Sequence, residues 1–130
     1  ERLLWVVGED QPARIGKEMP LALFDAPCPY RSIAKQALTA ANMTWRETFT
    51  SSSVASVANA VKAGMGVSVF PESAVGEDLR VLGPRDGFPE LPRTELGIHT
   101  RRNAPSEAHR HLTRYLADTI KEITRLPAEA

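Results

Sequence analysis

The chain has 130 residues, about one domain, and its 16 Lys and Arg balance 16 Asp and Glu at zero formal charge. That length can bury a real core, but neutrality argues against the basic face of a nucleic-acid binder and against polybasic docking on an anionic membrane. One cysteine, Cys28, excludes an internal disulfide framework and fits a reducing compartment.

Leu3–Val7 is a continuous apolar run closed by Gly8, the pattern of a buried strand. "GEDQPARIGKEM" is polar and turn-rich, a linker. Pro20–Phe24 reads as a second buried strand. After Asp25, Pro27 and Pro29 a helix pattern sets in, with Ile33, Ala37, Leu38 and Ala41 on one face. Pro29 suits its first turn, where the missing N–H costs nothing.

"TWRETF" (44–49) alternates as a half-exposed strand does, which places Trp45, Glu47 and Phe49 opposite Thr44, Arg46 and Thr48. In the next helix Val54, Val57, Ala58 and Val61 share one face at i, i+3, i+4 and i+7. Gly64 fits the left-handed position after its end, and Gly66–Phe70 is the following strand. "LRVL" (79–82) is a short strand and "TELGIHT" (94–100) a further one. The final helix carries a long apolar stripe: Ala108, Leu112, Tyr115, Leu116, Ile120 and Ile123. Little upstream remains to cover it, so it is expected to pack on a partner or on a segment outside these residues. Strands alternating with helices imply an α/β fold with a mostly parallel sheet flanked by helices. The chain starts at Glu1 with neither an initiator methionine nor a signal-peptide pattern, so a processed product or an excised segment is expected.

Two stretches offer chemistry. "SSS" (51–53) opens the second helix, whose first amides lack intrahelical partners, and one serine hydroxyl satisfies one of them. Cap plus ordinary turn is the simpler account of the triplet taken alone. The other account is that the extra hydroxyls, beside a positive dipole end, suit a carboxylate, phosphate or sulfate. "FDAPCPYRS" (24–32) also joins a strand end to a helix start. Its prolines restrict where Cys28 and Tyr30 point, and Arg31 sits in a first turn that disfavours a cation. Arg31 therefore either meets an anion or turns away to solvent or to Asp25. In open parallel sheets ligands sit at the carboxyl ends of strands near helix starts, and both stretches fall there.

Cys28 reads as a small pocket-lining thiol more readily than as a redox sensor or nucleophile, because no base lies nearby in the sequence. His109 and His111 are two apart on a helix and do not face each other, and His99 stands alone on its predicted strand. No metal site and no cofactor is expected. Phosphate-loop, dinucleotide, zinc-protease and serine-hydrolase motifs are all missing, so nothing argues for an enzyme.

Taken in order, "PLALFDAPCPYRSIAKQAL", "TWRETF", "SSSVASVANAVKAGMGVSVFPESAV" and "LRVL" resemble the effector-binding domain of LysR-type transcriptional regulators. The resemblance implies a fold like that of type II periplasmic binding proteins. Residues 8–93 would form the second subdomain. Residues 1–7 and 94–130 would supply the crossover strands and a C-terminal helix that belong to the first. The rest of that first subdomain and the N-terminal winged helix-turn-helix have no counterpart in these residues. By position, Asp25, Cys28, Tyr30 and Arg31 would line one side of an effector cleft and Ser51, Ser52 and Ser53 another, with Phe70 and Pro71 as an apolar floor.

The implied partners are a small, organic-acid-like effector, DNA only through the missing N-terminal domain, and copies of the same chain in a cytoplasmic homo-oligomer. A dimer of this segment is expected, either native or created by the cut. No membrane partner is implied. Peroxide-sensing members hold a reactive cysteine near the position of Cys28, but no second cysteine is present to resolve it. Two other readings compete: a free-standing solute-binding protein of the same fold, and an enzyme with a Cys28 nucleophile.

Overall fold

The structure, a computed structural model, describes residues 1–13, 17–100 and 106–125. Its elements in chain order are β1 (Leu3–Gly8), β2 (Met19–Phe24), α1 (Pro29–Ala40), β3 (Trp45–Ser51), α2 (Val54–Lys62), β4 (Ser68–Pro71), β5 (Leu79–Leu82) and α3 (Glu107–Arg125). Short 3-10 turns fill Glu72–Ala74 and Pro84–Asp86.

β1 runs antiparallel to both β4 and β5, while β2 and β3 pair in parallel. Val67, just before β4, joins these two groups through a parallel bridge to Leu21. The Ala22 N–H donates to the Val67 carbonyl at 3.0 Å and the Val67 N–H to the Pro20 carbonyl at 2.9 Å. The strand order is thus β5-β1-β4-β2-β3, with β1 alone running against the others. β1, from the stretch 1–7 expected to supply a crossover strand, is an inner strand of this sheet, flanked by β5 and β4.

The close approach at Val67 explains one glycine. A Cβ on Gly66 would stand 2.7 Å from the Pro20 carbonyl oxygen, so only glycine lets the chain enter the sheet there. Gly64 has φ +78° and ends α2 in the left-handed conformation, as its position predicts.

Each face of the sheet carries its own core. Leu3, Trp5, Val7, Met19, Leu21, Leu23, Val67 and Val69 pack beneath α1 around Ala34 and Leu38. Val6, Ala22, Phe24 and Phe70 pack beneath α2 around Val57, Ala60 and Val61. Strands buried on both faces read as unbroken apolar runs, which is why "LLWVV" and "PLALF" were legible.

β3 departs from strict alternation. Glu47 pairs with Leu21 but Phe49 pairs with Ala22, so Thr48 is an extra residue opposite that step. Trp45 consequently packs with the α1-side core and Phe49 with the α2-side core. The expected shared face for Trp45, Glu47 and Phe49 is corrected by this bulge.

Residues 94–100 form no strand, against expectation. Only the entry to the segment is paired: Arg93 bridges Arg2 antiparallel, and the Thr94 N–H donates to the Glu1 carbonyl at 2.9 Å. Beyond it Leu96 and Ile98 are exposed, with no neighbouring strand among the described residues to complete a ladder. On α3, Leu112, Tyr115 and Leu116 are 57%, 69% and 42% exposed, so much of the expected stripe is uncovered. The Ile123 side chain lies outside the described residues, as do residues 101–105 and 126–130. No helix among the described residues is long and apolar enough to cross a membrane.

Candidate functional site: the strand-end edge

Because β2, β3 and β4 point the same way, Phe24, Ser51 and Pro71 end at one edge of the sheet, and α1 and α2 both start there. The two predicted stretches meet directly: the Asp25 N–H donates to the Ser51 carbonyl at 3.1 Å. Asp25, Ser52 and Ser53 are exposed, and Cys28, Tyr30, Arg31, Ser51 and Pro71 are partly so.

The serines divide their work. Ser53 is the N-cap of α2, and its Oγ accepts from the Ser56 N–H at 3.3 Å. Ser51 Oγ accepts from the Ser53 N–H at 3.1 Å and so holds the turn into the helix. Ser52 takes neither of these structural bonds. Cap and exposed wall therefore coexist in one triplet.

α1 begins differently. Cys28 occupies its N-cap without a side-chain cap bond, and Pro29 brings no N–H. The Ala26–Pro27 peptide is cis. Cys28, Arg31, Ser32 and Lys35 line an open depression of about 660 Å³ together with the Ala26–Pro29 turn. The three serines are not among its walls, so the predicted residues share one edge of the sheet but not one depression.

Arg31 is engaged within the chain. Its Nη1 donates to the Phe24 carbonyl at 3.2 Å, and its Nη2 lies 2.7 Å from both carboxylate oxygens of Glu47. Lys35 pairs with the same carboxylate and rests 5.0 Å above the Trp45 ring. The partner suggested by sequence, Asp25, is not the one used. These cations hold the Glu47 carboxyl below its usual range, the Lys35 hydrogen bond contributing most, then Arg31, against an opposing burial effect.

Tyr30 meets Phe24 edge-on at 6.2 Å between ring centroids, and Phe24 meets Phe70 at 5.5 Å. Burial, helped by the Glu1 carboxylate and Cys28, raises the Tyr30 pKa, so its phenol stays protonated and able to donate. Phe70 is only 1% exposed, so it lies below the surface as a floor and not on it. Phe24 is one residue that sequence reasoning missed: it connects Tyr30 to Phe70 and gives Arg31 its carbonyl. Its place at the end of an apolar run made it look like core alone. Glu47 and Lys35 were missed because the pairing of β3 with β2 brings them to Arg31.

This edge offers hydroxyls, a phenol and the start of a helix without a side-chain cap, a set suited to receiving an oxyanion. Among the described residues no group of three or more His, Cys, Asp or Glu could hold a metal. No histidine lines the Cys28 depression to act as a base.

A sheet with one reversed strand, helices on both faces and helix starts gathered at one edge is an α/β fold of the type II periplasmic-binding-protein kind. The chain belongs to the LysR substrate binding domain family, which matches residues 1–121. It is 37% identical over 91 residues to the HTH-type transcriptional regulator PecT of Dickeya dadantii (strain 3937), covering 70% of this chain and 29% of that protein. It is 30% identical over 124 residues to the HTH-type transcriptional regulator DgdR of Burkholderia cepacia, covering 95% of this chain and 40% of that one. The chain thus spans less than half the length of either regulator. Among solved structures, the Synechocystis PCC6803 CcmR regulatory domain in complex with 2-PG superposes with a TM-score of 0.56 at 19% identity. That alignment covers 98% of this chain and 65% of the other, and it shows the shared fold.

Proposed function

We propose that this chain is the effector-sensing part of a LysR-type transcriptional regulator, and that a small oxyanion such as an organic acid binds at the strand-end edge. The observation that carries this reading is the Asp25–Ser51 contact, which brings the exposed serine turn of α2 to the uncapped start of α1. Ser52, Ser53 and the phenol of Tyr30 donate to the anion. Cys28 and Pro71 line the wall, and Phe24 and Phe70 support it from below. Asp25 lies at the rim, where its charge selects against a bare anion and in favour of a ligand with a hydroxyl or amine beside the acid. Arg31 acts through α1, which it fastens to Glu47.

In this reading the ligand favours one arrangement of the domain over another, since only unequal binding shifts an equilibrium. The full-length oligomer, working in the cytoplasm, transmits that shift to DNA through its helix-turn-helix. The names of PecT and DgdR support a regulatory role over a free-standing solute-binding one. The CcmR regulatory domain, solved in complex with 2-PG, supports ligand binding by a domain of this fold. Binding and release suffice for this role, and no catalytic step is required.

The test is an amide-resolved NMR titration with sulfate and a panel of aromatic and aliphatic carboxylates. Saturable shifts confined to residues 28–32 and 51–54 are expected. Shifts nowhere, or only along α3, would overturn the site.

A further inference from the structure

We propose that Thr48 is the positioning residue of the serine wall: the bulge it occupies decides which face of the sheet receives Ser51, and with it where α2 begins. This rests on the reading of the strand-end edge as a ligand site.

Paired residues on neighbouring parallel strands share a face. Trp45 and Glu47 pair with Met19 and Leu21, whose side chains enter the α1-side core. Were the register to continue unbroken, Phe49 would sit opposite Leu23 and Ser51 opposite Asp25. Both would then face α1. Instead Phe49 pairs with Ala22 and Ser51 with Phe24, on the α2 side. From there Ser51 Oγ reaches the Ser53 amide that starts the helix. One inserted residue thus turns a strand facing α1 into one that delivers its serines to α2.

Thr48 is equipped to hold that insertion. Its Oγ1 lies 3.0 Å from the carbonyl of Leu21, the residue at which the register steps. The same hydroxyl also bonds the Met65 carbonyl, in the turn between α2 and β4. Met65 stands beside Gly66, which is wedged against Pro20 and Ala22 on the other side of β2. The hydroxyl therefore links the bulge, the neighbouring strand β2 and the turn that leaves α2. A β-branched residue without a hydroxyl fits the strand as well but removes the single O–H donor that these two carbonyls share.

The experiment compares Thr48→Val and Thr48→Ser with the unaltered 130-residue chain by NMR, using ring-to-methyl NOEs and a sulfate titration. In the unaltered chain the Phe49 ring, packed against the cluster of Val57 and Val61, is expected to show NOEs to their methyls. Thr48→Val is expected to lose them and to bind sulfate at least about tenfold more weakly, as for a lost hydrogen bond to a charged ligand. The ligand-free signals of residues 28–32 stay in place, and Thr48→Ser restores both readouts.

A Thr48→Val protein that keeps the Phe49 NOEs and the sulfate affinity overturns the proposal. So does an unfolded Thr48→Val beside an intact Thr48→Ser, which would make the hydroxyl a requirement of the whole fold. If the unaltered chain shows no sulfate response, the ligand-site reading fails, and the NOEs alone then judge Thr48 as the residue that sets the register.

Discussion

Arg31 is the residue whose meaning changes most between sequence and structure. As a cation in the first turn of a helix it suggests an anion, but the anion it meets is the Glu47 carboxylate across the edge of the sheet. Arg31→Ala is therefore expected to lower stability by about 1 kcal/mol, the scale of a partly exposed, hydrogen-bonded ion pair, read from the urea midpoint. The Glu47 pKa is lowered on folding, so its contribution is complete above the ordinary glutamate value and disappears as pH falls through the folded one. Glu47→Gln should remove that part of the acid dependence and cost a similar amount at pH 7, checked by urea unfolding at several pH values. The placing of Cys28, Tyr30 and the serines at junctions of strand and helix was legible from the local pattern. Glu47 was not, since 16 residues separate it from Arg31 and only strand pairing closes that gap.

Elements were legible where one physical rule governs a whole segment. The apolar runs of β1 and β2, the period of α2 and its serine cap all depend on neighbours close in sequence. Ser53→Ala should cost about 1 kcal/mol through loss of the N-cap, with the helix start fraying in amide exchange. Gly66→Ala should cost about 1–3 kcal/mol, visible as a lower thermal midpoint, because its Cβ would press on backbone that cannot move aside. β3 was legible as a strand but not in its facing. Alternation assumes one residue per step, and Thr48 breaks that count by bonding to Leu21 and Met65, neither of which adjoins it in sequence.

At the level of the molecule, the buried sheet and the uncovered α3 should respond differently to substitution. Leu21 is fully buried beneath α1, and Leu21→Ala should cost about 2–5 kcal/mol in urea unfolding. Leu112 is 57% exposed, and Leu112→Ser should stay within about 0.5 kcal/mol of the unaltered chain in the same measurement. The apolar stripe of α3 is written as plainly in the sequence as that of α2, yet α2 buries Val57 and Val61, leaving Val54 exposed, while Leu112, Tyr115 and Leu116 of α3 are all exposed. Periodicity records which face wants cover, and the packing determines whether cover is found.

Segment type, the α/β class and the two strand–helix junctions were readable before any coordinates, because each follows from local pattern and spacing; the family likeness came from resemblance of the motifs in order. Four matters waited for the folded chain: the reversed direction of β1, the facing of β3, the failure of residues 94–100 to join a sheet, and the capture of Arg31 by Glu47. Each turns on which distant segment lies alongside. That choice is made by the joint burial of both faces of the sheet, and no window of neighbouring residues contains it.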